Sequence, residues 1–455
     1  MIGWGGGRED QRYDRRDLMR ILIVTAGSRG DVAPFTGLGR RLQQAGHQVA
    51  LAAHGRFADL VRECGLEYRA LPGDPVELVR ARTAAPSPEA ARSVFAAFLD
   101  ELGEGVMTAA AAGTDILLTA FGPAPLSRLV AEGFDIPSLG VYLAPGVPTR
   151  EFPPPGWPDA EHLSPADNIA AGRKVLTRTG SLYADVLRRL RTQLDLPAAT
   201  AEAPSPPDDW PICHGFSPAV VPRPADWPTN VHVTGYWWPA RPPGWQPPDL
   251  LVDFLRAGPP PVFVGFGSMT PTHERLHDVV AVAVKRAGVR AVVQSGWADL
   301  GPAGDDILVV GDLPHDWLFP RTAAVVHHAG AGTTGAGLRA GVPAVPVPVL
   351  VDQPFWAARL HHLGVAPHPL PIHELTADTL TDALRSCLDR LTYRNRATEL
   401  ARRVRADDGP AVVLSLITQL EGERPASLLG YGLSPSRRIH SCHDRPAFSP
   451  EAHGP

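Results

Sequence analysis

Two separate runs of strand–helix alternation, split by a proline-rich segment, constrain this chain more than any other feature. The first opens at Met19-Arg20-Ile21-Leu22-Ile23-Val24, a short apolar run that reads as a buried strand. Pro34 is read as opening a helix with Leu38 and Leu42 on one face, closed by Gly46. Strands are expected at His47 to His54, Tyr68 to Leu71, Asp115 to Thr119 and Ile136 to Leu143, with helices at Phe57 to Glu63, about 86–112 and Leu126 to Glu132. From Gly146 to about Asp167 the pattern fails, with three prolines at 153–155, and a helical stretch then runs to about Leu194. Eight prolines punctuate Pro222 to Pro248, the strongest linker signal in the chain. Alternation restarts at Pro261 to Phe266. Further strands are read at Ala291 to Gln294, Ile307 to Val310, Ala323 to His327 and Ala344 to Val349, and three helical patterns close the chain between Thr379 and Leu420.

Strands rich in β-branched residues that alternate with helices make a parallel sheet covered on both faces. The expectation is an α/β protein of two doubly wound, Rossmann-like domains facing a cleft. Residues 1–18 read as a disordered extension, 19–221 as an N-terminal domain, 222–248 as linker, 249–410 as a C-terminal domain, 411–422 as a last helix and 423–455 as a disordered tail.

Composition narrows the function. Lysine plus arginine number 43 against 48 acidic residues, a net charge of −5, which argues against a dedicated nucleic-acid binder. The four cysteines lie far apart with no CxxC pair, so neither a disulfide framework nor a zinc site is indicated. The amino terminus lacks the apolar core of a signal peptide and no apolar run reaches the roughly 18 residues of a membrane span, so the expectation is a cytoplasmic protein. Glycine and proline together make 93 of 455 residues and should concentrate in loops, linker and tail.

Open α/β sheets bind ligands at the carboxyl ends of their strands. Three loops there stand out. Gly27-Ser28-Arg29-Gly30-Asp31 follows the first strand, and Asp31 sits before a helix start. A capping carboxylate is the commoner role for such a residue, and a proton acceptor at the cleft is the rarer one. Gly265-Phe266-Gly267-Ser268-Met269 lets backbone N–H groups approach an anion. The third runs His327-His328-Ala329-Gly330-Ala331-Gly332-Thr333-Thr334-Gly335 into a helix, where N–H groups, the helix end, the threonine hydroxyls and His328 could grip a diphosphate. One strand later come Asp352 and Gln353, an acceptor and a donor suited to adjacent sugar hydroxyls. Neighbouring histidines on a strand face opposite sides, so a metal is not expected. The glycine run also matches the G-x-G-x-x-G of an NAD-dependent oxidoreductase, but such a fingerprint belongs on the first strand of its domain.

Three stretches carry a family resemblance: Gly-Ser-Arg-Gly-Asp-Val-Ala-Pro at 27–34, Gly-Phe-Gly-Ser-Met at 265–269, and the run from Leu313-Pro314-His315 through the glycine-rich turn to Asp352-Gln353-Pro354. In order and spacing they resemble the GT-B nucleotide-sugar glycosyltransferases of family one, especially the bacterial antibiotic, macrolide and sterol glucosyltransferase branch. The resemblance implies an N-terminal acceptor domain, a C-terminal nucleotide-sugar domain and a last helix that crosses back. It implies Asp31 as general base of an inverting, metal-free transfer that uses no cofactor beyond the nucleotide-sugar co-substrate. Ser28, Gly267 and Ser268, with His328, Gly330, Gly332, Thr333 and Thr334, would hold the diphosphate. Asp352 and Gln353 would hold the hexose, and Pro314 and His315 would meet the base. The partner would be a small lipophilic acceptor, which brings peripheral membrane contact within reach. A non-catalytic partner protein of the same fold is the alternative, although such relatives tend to lose the diphosphate and Asp-Gln residues that this chain keeps. The chain departs from the pattern at Ala329, where relatives often have glycine, and at Gly335, Ala336 and Gly337, where many place a ribose-binding glutamate. Phe152 and Trp157, beside the triple proline, read either as acceptor contacts or as an ordered surface loop.

Overall fold

Seven short apolar segments pair into the first sheet of the computed structural model, which describes residues 18–157, 163–198, 209–267, 274–294 and 305–422. They are β1 (Arg20–Val24), β2 (Gln48–His54), β3 (Glu67–Leu71), β4 (Ile116–Thr119), β5 (Ser138–Tyr142), β6 (Ile212–His214) and β7 (Val231–Val233). The second sheet holds β8 (Val262–Gly265), β9 (Ala291–Gln294), β10 (Ile307–Val310), β11 (Ala324–His327) and β12 (Ala344–Pro346). The strand orders are 3-2-1-4-5-6-7 and 10-9-8-11-12, with every pairing parallel. Both orders reverse at the first strand, so each sheet has its switch point beside β1 or β8 and the crevice there opens above the strand ends.

The strands are apolar on both faces because helices cover both. Leu22 and Val24 of β1 and Leu117 of β4 meet Leu102 and Val106 of the helix Pro88–Ala111 and Val186 and Leu190 of the helix Pro165–Gln193. In the second sheet Val264 and Val326 pack with Val280, Val284, Leu380 and Leu384. Among the described residues no helix is long and apolar enough to cross a membrane. The chain divides into two units at Leu414, and the described part of the second is the end of the helix Gly409–Gly422.

Three local expectations are corrected. The first helix spans Arg29–Gln44, so Pro34 lies inside it and Asp31 in its first turn, because Ser28 rather than Pro34 starts it. A helix at Pro75–Ala84 was not expected; Asp74 caps it by accepting from the Val76 N–H, and proline at the first position needs no hydrogen-bond partner. The segment expected as linker contains β7, and its Trp227 and Trp237 are only 4% and 2% exposed. Three-residue strands between prolines carry no readable period, so tertiary packing alone reveals them. The expected extension before Leu18 and the expected tail after Gly422 lie outside the described residues.

Candidate active site

The loops after β1, β8, β11 and β12 converge on one cavity of about 1450 Å³. Asp31 lies in its wall, half-buried. Its Oδ2 accepts from the Ser28 N–H at 2.6 Å and the Ser28 hydroxyl at 2.8 Å, and its own N–H donates to the Ser28 carbonyl at 3.0 Å. This is a reciprocal cap of the helix start. Gly27 makes it fit: its φ is +140°, and a Cβ there would stand 2.4 Å from Asp31 Oδ2. Burial pushes the Asp31 carboxyl above its ordinary range, while the Ser28 bonds pull it back. Capping and facing the cavity are therefore combined in one side chain.

The diphosphate candidates gather opposite. Gly330 precedes the helix Ala331–Ala340, and Gly267, His328, Gly330, Gly332 and Thr333 all line the cavity. The His328 ring sits between two glycines, since a Cβ on Gly267 would lie 2.8 Å from it and one on Gly330 only 2.5 Å. Its buried Nδ1 makes no well-aligned hydrogen bond, although the nearby Gly265 backbone favours the protonated ring. Burial pulls His328 and His315 down to about 4 and His327 to about 3, so all three imidazoles are neutral at physiological pH. His327 points into the core, its Nδ1 accepting from the Ala329 N–H at 3.1 Å. Ala329 is held at φ +62° and fully buried, a left-handed conformation that explains why glycine suits this position. Gly330→Ala, at φ −63°, probes the His328 ring without backbone strain. It should lower kcat/KM for the sugar nucleotide by roughly 10- to 100-fold with little change in melting temperature, as displacement of a positioning group does. Steady-state rates against donor concentration check this.

Thr334 does not join the site. It is buried beneath the helix, its hydroxyl unpartnered, whereas Thr333 faces the cavity. Ser268 lies outside the described residues. Pro314 and His315 line the cavity, the imidazole stacked on Phe319 with ring centres 4.3 Å apart. At Gly335 a ribose-binding acid is sterically excluded, because a Cβ there would lie 2.5 Å from the Tyr236 ring, whereas Gly337 has open space around its Cβ position.

Asp352 stands just before the helix Gln353–His362, and its carboxylate accepts from the Trp356 indole N–H at 2.8 Å rather than from a free backbone N–H of the first turn. Gln353 Oε1 accepts from the N–H groups of Val349 and Leu350 at 2.9 and 3.0 Å, which leaves its amide N–H for a ligand. Between them Val351, at φ +58° and 66% exposed, presents its carbonyl to Gly156 of the triple-proline loop, where a Cβ would come within 2.7 Å. Burial pushes Asp352 up to about 6, with the charge of Asp31 adding to the rise against the Trp356 bond. A carboxyl raised in this way is protonated in the folded protein below about pH 6, and its burial carries no penalty below about pH 4. It costs stability as pH climbs from about 4 through 6. Its value as an acceptor for sugar hydroxyls runs the other way. KM for the donor should rise as pH falls below 6, and Asp352→Asn should flatten that limb of the profile.

On the acceptor side Phe152 lines the cavity, though much of its ring packs on Trp227 and Phe355 at 6.2 and 5.4 Å. Trp157 is not in the lining; its half-buried ring lies beneath the Lys174 ammonium at 5.7 Å, so of the pair only Phe152 reaches the cavity. Sequence reasoning missed the rest of this apolar wall, including Val76 and Val79 of the helix Pro75–Ala84, Phe121 and Leu176. The Asp74-Pro75 pair was the available signal for that helix. It also missed Arg29, whose guanidinium meets Asp312 of the opposite sheet's loop at 3.4 Å.

Comparison with known proteins agrees with this geometry. Residues 21–151 match the model for the glycosyltransferase family 28 N-terminal domain, and residues 280–420 that for the erythromycin biosynthesis protein CIII-like C-terminal domain. The O-mycaminosyltylonolide 6-deoxyallosyltransferase of Streptomyces fradiae is 38% identical over 418 residues, covering 86% of this chain and 95% of its own. A sterol 3-beta-glucosyltransferase of Arabidopsis thaliana is 34% identical over 430 residues, covering 88% of this chain, which spans 66% of that relative. Among solved structures, the glycotransferase of kitacinnamycin superposes with a TM-score of 0.66 at 21% identity, covering 89% of this chain and 99% of that one. The glycosyltransferase VinC, solved in complex with DTDP, gives 0.64 at 19% identity over 89% and 100%. With two parallel α/β sheets in place and a relative matched along nearly its whole length, this chain belongs to the family-one nucleotide-sugar glycosyltransferases of GT-B fold.

Proposed function

We propose that the protein is an inverting transferase that moves a hexose from a nucleoside-diphosphate sugar, UDP-glucose-like, to a hydroxyl of a small lipophilic acceptor such as a sterol or polyketide. One observation carries the reading: Asp31 and the Asp352-Gln353 pair stand in a single cavity with an apolar wall on one side and a glycine-rich helix start on the other. Asp31 takes the acceptor's hydroxyl proton as that oxygen attacks the anomeric carbon. The bond to the diphosphate breaks on the opposite face, which inverts the centre. The N–H groups at Gly330 to Gly332 and the helix end receive the leaving oxygens, without help from a metal. His328, being neutral, donates one hydrogen bond there rather than a charge.

The sterol and macrolide relatives support the acceptor class. The NAD reading is disfavoured because the glycine-rich turn follows β11, fourth of five strands in its sheet by chain order, and Asp352 is engaged with Trp356. Mass spectrometry of products from a panel of sugar nucleotides and lipophilic alcohols tests the proposal. A mass gain of one hexosyl unit on an acceptor, with release of nucleoside diphosphate, is the expected result. Its absence across the panel, alongside protection by NAD in thermal shift, would sink it.

A further inference from the structure

A departing nucleoside diphosphate carries two to three negative charges, yet the turn that would receive it, from His327 to Thr334, contains no lysine or arginine. The nearby imidazoles of His315 and His328 are neutral. Helix-end N–H groups supply partial charge alone. The cations that line the cavity come from elsewhere, and most are engaged. Arg56 pairs with Asp74 at 3.0 Å and Arg241 with Asp316 at 2.5 Å. The Arg339 guanidinium lies over the Trp238 ring at 4.5 Å, and Arg405 donates to the Arg339 and Ala340 carbonyls.

Arg29 differs. It belongs to the same loop as Ser28 and Asp31, and reaches across the cavity to Asp312 Oδ2 at 3.4 Å. Both side chains stay about half exposed, at 45% and 57%, and Asp312 has a second partner in the Gln294 amide at 2.8 Å. Arg29 also lies close enough to His315 to depress its basicity, and His328 is a neighbour of that same ring. Its positive charge therefore sits at the diphosphate end of the cavity. An ion pair this exposed is worth little and exchanges readily. A diphosphate offers more charge than one carboxylate and suits the guanidinium fork.

We propose that Arg29 leaves Asp312 for the diphosphate when the donor binds, so that the acceptor domain supplies the full positive charge facing the leaving group. The inference rests on the reading of the donor as a nucleoside-diphosphate sugar. It makes Asp312 a holding partner that keeps the arginine in place while the site is empty.

Calorimetric titration of the full chain with UDP and with dTDP, each against its monophosphate, tests this in wild type, Arg29→Gln and Asp312→Asn. Arg29→Gln should weaken diphosphate binding by about 10- to 100-fold, the loss of a charge-assisted bond, with a much smaller effect on the monophosphates. Asp312→Asn should act in the opposite direction, tightening diphosphate binding by roughly two- to five-fold as it releases the competitor. Equal weakening by both substitutions would make the pair a simple clasp between the domains and overturn the proposal, as would unchanged diphosphate affinity in Arg29→Gln. Arg29→Lys, which keeps the charge but not the fork, should fall between wild type and Arg29→Gln. If wild type binds neither diphosphate, the donor reading itself fails and the inference with it.

Discussion

Asp31→Asn should lower kcat for glycosyl transfer by about 10²- to 10⁴-fold, the usual contribution of a general base, with nucleotide binding preserved. Asparagine is the informative replacement because Asp31 does two jobs. Its Oδ2 accepts from both the N–H and the hydroxyl of Ser28 and so fixes the start of the helix Arg29–Gln44. An asparagine oxygen can still accept those bonds but cannot take a proton. Asp31→Ala loses both roles, and its added cost of about 1 kcal/mol in stability measures the cap alone. Rates at saturating donor and acceptor, with thermal shift by UDP or dTDP as a binding control, separate the two. Transfer at a near wild-type rate in Asp31→Asn would remove the base assignment.

The largest loss of stability is expected at a residue that touches no substrate. A Cβ on Gly37 would lie 1.6 Å from the Trp238 carbonyl oxygen and 2.7 Å from its carbon. That neighbour is backbone, held by Ala240 N–H donating to Thr36 Oγ1 at 3.0 Å and by Trp237 packed on Phe35 with ring centres 5.7 Å apart. It cannot turn away as a side chain would. Gly37→Ala should therefore cost about 3 kcal/mol or more, in the upper range of overpacking. That corresponds to a drop in melting temperature of roughly 6–12 °C for a domain of this size. Gly337→Ala is the control: nothing lies within 4 Å of its Cβ, and it should be neutral or stabilising by up to about 1 kcal/mol. Calorimetric melting of both variants checks the pair; equal midpoints would show that the segment at 238 yields.

Most of both sheets was readable because short runs such as Ile21 to Val24 and Ala324 to Val326 are apolar on both faces and stand between periodic helices, whereas the three-residue β6 and β7 were not. The glycine turn and Asp352-Gln353 were readable as local chemistry. What escaped was whatever depends on contact between distant segments. Thr333 and Thr334 look alike in sequence, and only the helix's orientation decides that one faces the cavity and the other the core. Trp157 looked as good a wall residue as Phe152, yet beyond the turn at Gly156 its half-buried ring meets Lys174 instead of the cavity. Arg29 and Asp312 have no local signature at all, since they belong to loops that follow strands of two different sheets.

The packing of the crossover ties both sheets to one short segment. Ala240 donates its N–H to Thr36 in the helix that begins with the proposed base, and the Trp238 backbone lies against Gly37 of the same helix. That stretch also meets the other sheet's side, with the Tyr236 ring against Gly335 and the Arg339 guanidinium over Trp238. The Arg241–Asp316 pair and the Trp245–Trp317 ring contact continue the attachment on either side of Pro242 and Pro243, whose rings restrict the backbone. The helix carrying Asp31 and the helix behind the glycine-rich turn are thus braced by the same few residues, so a substitution at Trp238 would disturb the proposed base and the proposed diphosphate site together.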